Sequence, residues 1–211
     1  MIEKNKNADI VMFDSMHVRT ENIREKRTVY HSSEYYEKYC DKTFAVKKQL
    51  PYDWVRWNSN PCNKLFNLEF INKNQLEFQT LPSCNDVYFV CLALLLSEKT
   101  IVVNDNKVYA RDHDVPTRIS YYRDPMCAYQ AINYLQKMLI GRELFAEYYK
   151  HFYYLVFFVL CATLEKTNNE EIKREFYIFL QQRGIQDLIE SGEIYYKQID
   201  EKLKICFQEY M

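Results

Sequence analysis

Glycine is scarce in this chain, with three residues among 211, and the three do not form a cluster. A loop that wraps a phosphate needs several closely spaced glycines, so the sequence excludes both a P-loop and a G-x-G-x-x-G turn. Only four histidines are present, and none lies at zinc-ligand spacing from a cysteine. A zinc site is therefore not expected.

Other absences concern the compartment and the partners of the protein. The seven cysteines form no C-x-x-C pair and no apolar leader follows Met1, so we expect reduced thiols and a cytoplasmic protein. Lys and Arg total 28 against 29 Asp and Glu, so the chain has no net positive charge that would attract nucleic acid. No apolar run reaches the roughly 20 residues that span a bilayer. The closest, residues 151–164, is interpreted as a buried helix, with peripheral membrane contact as the alternative.

The sequence is rich in aromatic residues, with 19 Tyr and 13 Phe, which favours large buried or interface surfaces. Apolar residues make up 48% of the chain and charged residues 27%, a composition typical of a folded globular protein. The length fits one sizeable domain or a domain with an appended region.

Hydrophobic patterning predicts an α/β region followed by helices only. The run at residues 8–13, which is apolar except for Asp9, predicts a strand covered on both faces. The other predicted elements are helices at residues 63–72 and 87–97, strands at residues 75–80 and 100–103, extended chain at residues 108–111, and later helices at residues 125–139, 142–164, 170–182, 185–190 and 193–210. We place the division between the two regions at residues 1–135 and 136–211.

The pair Asn85-Asp86 lies between the strand predicted at residues 75–80 and the apolar helix predicted at residues 87–97. A carboxylate held at the start of a buried helix and open to a cleft suits a general base. Asp in this place is also a common helix N-cap. Both interpretations stay open at this point.

Four segments, taken in order, resemble the acceptor-side half of a family 2 glycosyltransferase with the GT-A fold. They are ADIVMFD (residues 8–14), NPCNKLFNLEFINKNQLEF (60–78), CNDVYFVCLALLLSEKTIVVNDNKVYARDHD (84–114) and SYYRDP (120–125). Together they cover a little over half of the chain. The resemblance implies a partial GT-A-like mixed sheet with helices, followed by an all-α region.

The resemblance also implies a function. It is the inverting transfer of a sugar from a nucleotide-sugar to a glycan or lipid-linked acceptor, in surface polysaccharide synthesis, with Asp86 as the catalytic base. Arg111 and His113 match the loop that touches the donor diphosphate, and Lys64 helps to shape the acceptor side. The ordinary alternative for each is a solvated charge on a loop or helix. The substrate-binding residues implied are Asn85, Lys64, Arg111, His113 and Arg123.

The chain departs from the family pattern on the donor side. The nucleotide-binding half with its Asp-x-Asp is missing, because Asp14 offers one carboxylate and the triplet from Asp112 to Asp114 follows the base motif instead of preceding it. Mg²⁺ or Mn²⁺ is expected for the complete family domain, and none for this chain alone. We therefore expect little or no transfer without a partner chain that supplies the donor-binding half.

The acceptor side departs from the pattern as well. Asn85 stands where the family usually has Glu, which would reduce charge repulsion on Asp86. Cys62 stands where the family usually has Trp, and Trp54 or Trp57 would have to supply a sugar-stacking face instead.

Several origins are compatible with this pattern. The chain is either one half of a split enzyme, the tail of an interrupted coding region, or a non-catalytic interaction or glycan-binding module derived from the fold. An interaction protein whose aromatic helices dock a partner is the alternative of a different class. An exposed sheet edge or apolar patch near residues 8–13 would favour the split enzyme, and a self-covered sheet would favour the interaction protein.

Overall fold

A computed structural model describes residues 7–20, 23–27, 38–49, 60–111, 125–164 and 169–180. These residues form two compact units. The first contains the described residues up to 80 together with those from 85 to 111, and the second contains residues 81–84 and the described residues from 125 onward.

The first unit is built on a mixed five-stranded sheet. Its long strand β1 (Ile10–Thr20) runs parallel to β5 (Thr100–Arg111) on one side. The opposite edge of β1 pairs antiparallel with β4 (Lys64–Phe66) in its first half and with β2 (Ile23–Arg27) in its second half. The short strand β3 (Thr43–Phe44), which precedes the single-turn helix α1 (Val46–Gln49), pairs antiparallel with the start of β5. The predicted α/β class is confirmed at this level.

The apolar run that predicted a covered strand lies in the first half of β1. Ile10 and Met12 are completely buried, and Val11 and Phe13 are nearly so, which confirms that both faces are covered. Val11 and Phe13 belong to one apolar cluster with Ala8 and with Ile101 and Val103 of β5. A strand buried on both faces and paired on both edges has no polar face to expose, which explains its unbroken apolar sequence.

The helix that the apolar run near residue 90 predicted is α3 (Asn85–Leu96), and every residue from 87 to 95 is buried. Its turn into β5 is fixed by Asp9, whose Oδ2 accepts hydrogen bonds from the backbone N–H groups of Glu98 (2.9 Å) and Lys99 (3.0 Å). The N–H of Asp9 in turn donates to the carbonyl of Lys99 at 2.9 Å. The carboxylate therefore joins the start of β1 to the start of β5.

The helix predicted at residues 63–72 is shorter than expected. The structure has a 3₁₀ turn (Pro61–Asn63), then β4, then the six-residue helix α2 (Leu68–Lys73). Asn67 explains the late start, because its Oδ1 accepts hydrogen bonds from the N–H groups of Glu69 and Phe70 and so caps α2. Pairing with β1, which local sequence does not reveal, holds residues 64–66 in a strand.

The strand predicted at residues 75–80 is wrong. Gln75 has a φ of 52°, and the N–H groups of Gln75 and Leu76 donate back to the carbonyls of Asn72 and Ile71. This segment therefore ends α2 by a helix-terminating turn and continues without strand pairing among the described residues. By contrast, β5 is one strand of twelve residues, where a four-residue strand followed by extended chain was predicted.

The second unit is helical in all its described elements, as predicted for this part of the chain. It contains α4 (Pro125–Gly141), α5 (Phe145–Leu164) and α6 (Glu170–Leu180), and α4 and α5 pack against each other. The predicted division between residues 135 and 136 falls within α4, whereas the two compact units divide before this helix. The helices predicted at residues 185–190 and 193–210 lie outside the described residues.

The helix α5 contains the aromatic run of residues 151–164. Its described side chains from 152 to 157 are all buried, which agrees with the interpretation of this run as a buried helix. Within the parts of the chain that the structure describes, no helix has the length and apolar character needed to cross a membrane.

Candidate functional site

Asp86 lies in the first turn of α3, directly after Asn85, the first helical residue. The residue before the helix is Cys84, with a φ of 59°, so Asp86 stands inside the first turn and not at the N-cap position. A carboxylate in the first turn is favoured by the partial positive charge of the helix N-terminus. Its side chain is neither buried nor fully exposed, so solvent can reach it.

Lys64 is the first residue of β4, where it pairs with Met12 of β1, and it is buried with 5% of its surface exposed. Its Nζ donates hydrogen bonds to the backbone carbonyl of Asn60 at 2.7 Å and to Oδ1 of Asn63 at 2.8 Å. Both acceptors belong to the 3₁₀ turn and its N-cap. Because a buried ammonium needs such partners, this short turn holds the lysine in place.

Burial lowers the pKa of Lys64 to about 7, and the nearby Cys91, Asp86 and Cys62 oppose that shift in decreasing order. Burial also raises the pKa of the Cys91 thiol to about 12. Cys91 therefore keeps its proton near neutral pH. Asp86 is then the charged neighbour that favours the ammonium form of Lys64 in this range.

The two side chains come from separate segments of the sequence. Lys64 belongs to the segment at residues 60–78 and Asp86 to the segment at residues 84–114, and their charges interact in the folded chain. The site thus combines a carboxylate that solvent can reach with a buried amine that changes charge near neutral pH. Such a carboxylate can accept a proton from a hydroxyl group, and the amine can alter the electrostatic potential around it.

The other predicted site residues are only partly described. Asn85 is exposed and adjoins Asp86 in the chain. Arg111 is the last residue of β5 and pairs with Val18 of β1, and its side chain is outside the described part. Outside the described residues altogether lie His113 and Arg123, together with Asp112, Asp114, Trp54 and Trp57.

Sequence reasoning missed Cys91 and the two asparagines that hold Lys64. One signal could have identified Cys91: between residues 87 and 95, only Tyr88 and Cys91 carry a polar atom in the side chain. The partners of Lys64 gave no such signal, because one of them is the backbone carbonyl of Asn60.

The divalent metal that the resemblance implies has no matching ligands in the described part of the chain. Among these residues, no group of three or more His, Cys, Asp or Glu side chains could hold a metal ion. Mg²⁺ and Mn²⁺ require several oxygen ligands that converge on one point.

A cavity of about 460 Å³ lies in the first unit, but not at Asp86. Its walls come from the segment before β1, from α2, and from the turn between α3 and β5. Leu96, the last residue of α3, lines this cavity, whereas Asp86 is in the first turn of the same helix. Roughly 15 Å of helix separates them.

No protein-family model matches this chain, and no curated protein matches it. The resemblance to family 2 glycosyltransferases therefore depends on the four segments quoted above. The geometry around Lys64 and Asp86 is a separate observation, obtained from the folded chain.

Proposed function

We propose that this chain carries the acceptor side of an inverting sugar-transfer site similar to that of family 2 glycosyltransferases, with Asp86 as the base. The observation that supports the proposal is the place of Asp86 in a first helical turn that solvent can reach, where its charge interacts with that of the buried Lys64. Both residues lie in segments that resemble the family, and nothing in their local sequence requires them to interact.

The proposed step uses one base. The acceptor hydroxyl oxygen forms a bond to the anomeric carbon of the sugar, and the bond from that carbon to the nucleoside diphosphate breaks. The electron pair leaves with the diphosphate, and the hydroxyl proton passes to the carboxylate of Asp86. The attraction between Asp86 and Lys64 is mutual, so a protonated Lys64 favours the ionised carboxylate that this step requires.

The donor side of the proposed site is supported only by the resemblance to the family. It comprises the nucleotide-sugar, the Mg²⁺ or Mn²⁺ of the complete family domain, and a second chain that supplies the donor-binding half. Arg111, His113 and Arg123 remain proposed contacts to the donor diphosphate. The acceptor in this scheme is a glycan or a lipid-linked glycan.

Replacing Asp86 by asparagine is expected to weaken the binding of an acceptor glycan by about tenfold, because the hydroxyl then donates its hydrogen bond to a neutral amide oxygen instead of a charged carboxylate. A saccharide array would select the glycan, and backbone amide NMR would then follow its titration. We expect the amides of Asn85, Asp86 and Val87 to shift. The matched control is Glu77→Gln, which makes the same chemical change at an exposed position.

Two results would count against the proposal. One is a glycan that binds with equal affinity to the Asp86→Asn and wild-type chains. The other is a set of shifts confined to residues far from the first turn of α3. Titration of nucleotide-sugars with Mn²⁺ addresses the donor side, and tight binding would show that the chain does not need a partner for that half.

The second candidate is a non-catalytic interaction or glycan-binding module. The observation that favours it is the coverage of residues 10–12, since β1 is paired on both edges and buried on both faces there. If this strand normally packed against a missing half of the domain, part of its edge or one of its faces would be expected to stay uncovered. Glycan binding that is independent of Asp86 would select this candidate.

A further inference from the structure

The cavity at the C-terminal end of α3 has the dimensions of a small-molecule site. Its volume of about 460 Å³ lies within the range of roughly 300–1,000 Å³ that is usual for ligand pockets. It is formed within the first unit by three chain segments that are distant in sequence. The residues proposed above for sugar transfer take no part in it.

Hydrogen bonds fix the three walls of the cavity to one another. Asp9 holds the turn between α3 and β5 through the N–H groups of Glu98 and Lys99. The carbonyl of Asp9 accepts from the N–H of Asn67 at 2.9 Å, which joins the same segment to the start of α2. Asn74 closes the other end of α2, since its Nδ2 donates to the carbonyl of Phe70 at 2.8 Å. The cavity is therefore preformed.

The lining has a balance of charge that disfavours a simple ion. Glu98 is engaged by the ammonium groups of Lys47 (2.6 Å) and Lys48 (2.8 Å), which offset its charge. The remaining charged side chains of the lining are those of Asp9, Glu69, Lys73 and Lys99. Two carboxylates and two ammonium groups favour neither a free anion nor a free cation.

The same lining suits a ligand with many hydroxyl groups. The carboxylate of Glu69 can accept hydrogen bonds, and the ammonium groups of Lys73 and Lys99 can donate them. A hydroxyl can serve either kind of group. Phe70 and Leu96 add apolar surface to the lining, on which the C–H face of a sugar ring can rest.

We propose that this cavity binds one or two rings of a neutral saccharide. The inference deepens the proposed function, because it assigns a binding place to the acceptor rings that lie away from Asp86. The role of the cavity in sugar transfer rests on that proposed function. The roughly 15 Å of helix between the cavity and Asp86 means that a single ring cannot occupy both places. An oligosaccharide would be needed to reach from one to the other.

The test is an amide NMR titration of the full chain with glucose, galactose, N-acetylglucosamine and maltose. We expect the amides of Asn67 and Lys99 to shift, and the affinity to fall about tenfold in both Glu69→Gln and Lys73→Met. Lys137→Met is the matched control, because Lys137 is an exposed lysine on α4, outside the cavity. Its affinity should equal that of the wild type.

The inference is overturned if none of the four sugars shifts these amides, or if the cavity variants bind as well as Lys137→Met. It is also overturned if inorganic phosphate shifts the same amides and the sugars do not. The Asp86→Asn chain separates this inference from the proposed function. Cavity shifts that persist in that variant, without any glycan effect at Asp86, would refute the transfer proposal and leave the saccharide cavity standing.

Discussion

Replacing Leu92 by alanine is expected to lower the free energy of unfolding by about 2–5 kcal/mol, the usual cost of such a truncation in a packed core. Leu92 lies in the middle of α3 and has no exposed surface. Its neighbours along the helix are buried on every side, so the backbone cannot shift to fill the space that the side chain leaves. The measurement is urea denaturation, followed by circular dichroism.

Leu68→Ala provides the matched control for this prediction. Leu68 is the first residue of α2, and 70% of its surface is exposed. The same chemical change there should alter the free energy of unfolding by no more than about 0.5 kcal/mol. Equal losses in the two variants would contradict the assignment of α3 as the buried helix of the first unit.

The free energy of unfolding is expected to rise by roughly 2 kcal/mol between pH 7 and pH 9 because of Lys64. In the folded chain, burial holds the pKa of this lysine at about 7, against an ordinary value of 10.5. The unfolded chain therefore binds more protons than the folded chain throughout this interval. By linkage, stability increases as the pH rises, and the contribution is lost as the pH falls to 7.

Cys91 sets the upper limit of this interval. Its thiol has a pKa raised by burial from 9.0 to about 12, so above pH 9 the folded chain keeps a proton that the unfolded chain loses. Stability from this group falls as the pH rises through that range. The Lys64 effect is therefore best measured below pH 9.

The variant Lys64→Met isolates the contribution of Lys64. Its stability should change less between pH 7 and pH 9 than that of the wild type, and the difference between the two chains should show the rise of roughly 2 kcal/mol. Lys137→Met should follow the wild type. Parallel profiles for Lys64→Met and the wild type would show that Lys64 titrates as an exposed lysine does.

Local sequence predicted the elements in which nearly all side chains are buried. A run that is apolar except for Asp9 predicted a covered strand at residues 8–13, where β1 begins at Ile10, and a longer run predicted α3 to within a few residues at each end. In both cases nearly all side chains face the interior, so local composition is sufficient. The start of α4 at Pro125 was also predicted, since proline suits the first position of a helix.

The errors have a common physical cause, which is pairing between distant segments. Residues 64–66 fit a helical pattern, but their partner is β1, more than fifty residues earlier in the chain. Residues 75–80 carry an alternating pattern typical of a strand, yet the turn at Gln75 directs the N–H groups of Gln75 and Leu76 back to carbonyls of α2. Neither outcome can be derived from a local window of sequence.

Only part of the candidate site could be predicted from local sequence. The position of Asp86 at the start of a buried helix follows from the apolar run after it. The burial of Lys64 does not, because a lysine in a predicted helix is normally solvated. Its electrostatic interaction with Asp86 depends on the pairing of β4 with β1.

The most direct measurement is a double-mutant cycle on glycan affinity, with wild type, Asp86→Asn, Lys64→Met and the double variant. Amide spectra would first establish that each chain is folded. If the two residues act as one unit in binding the acceptor, the loss in the double variant should fall short of the summed single losses by about 0.5–3 kcal/mol. Losses that add to within about 0.3–0.5 kcal/mol, or no loss in either single variant, would contradict a shared acceptor site.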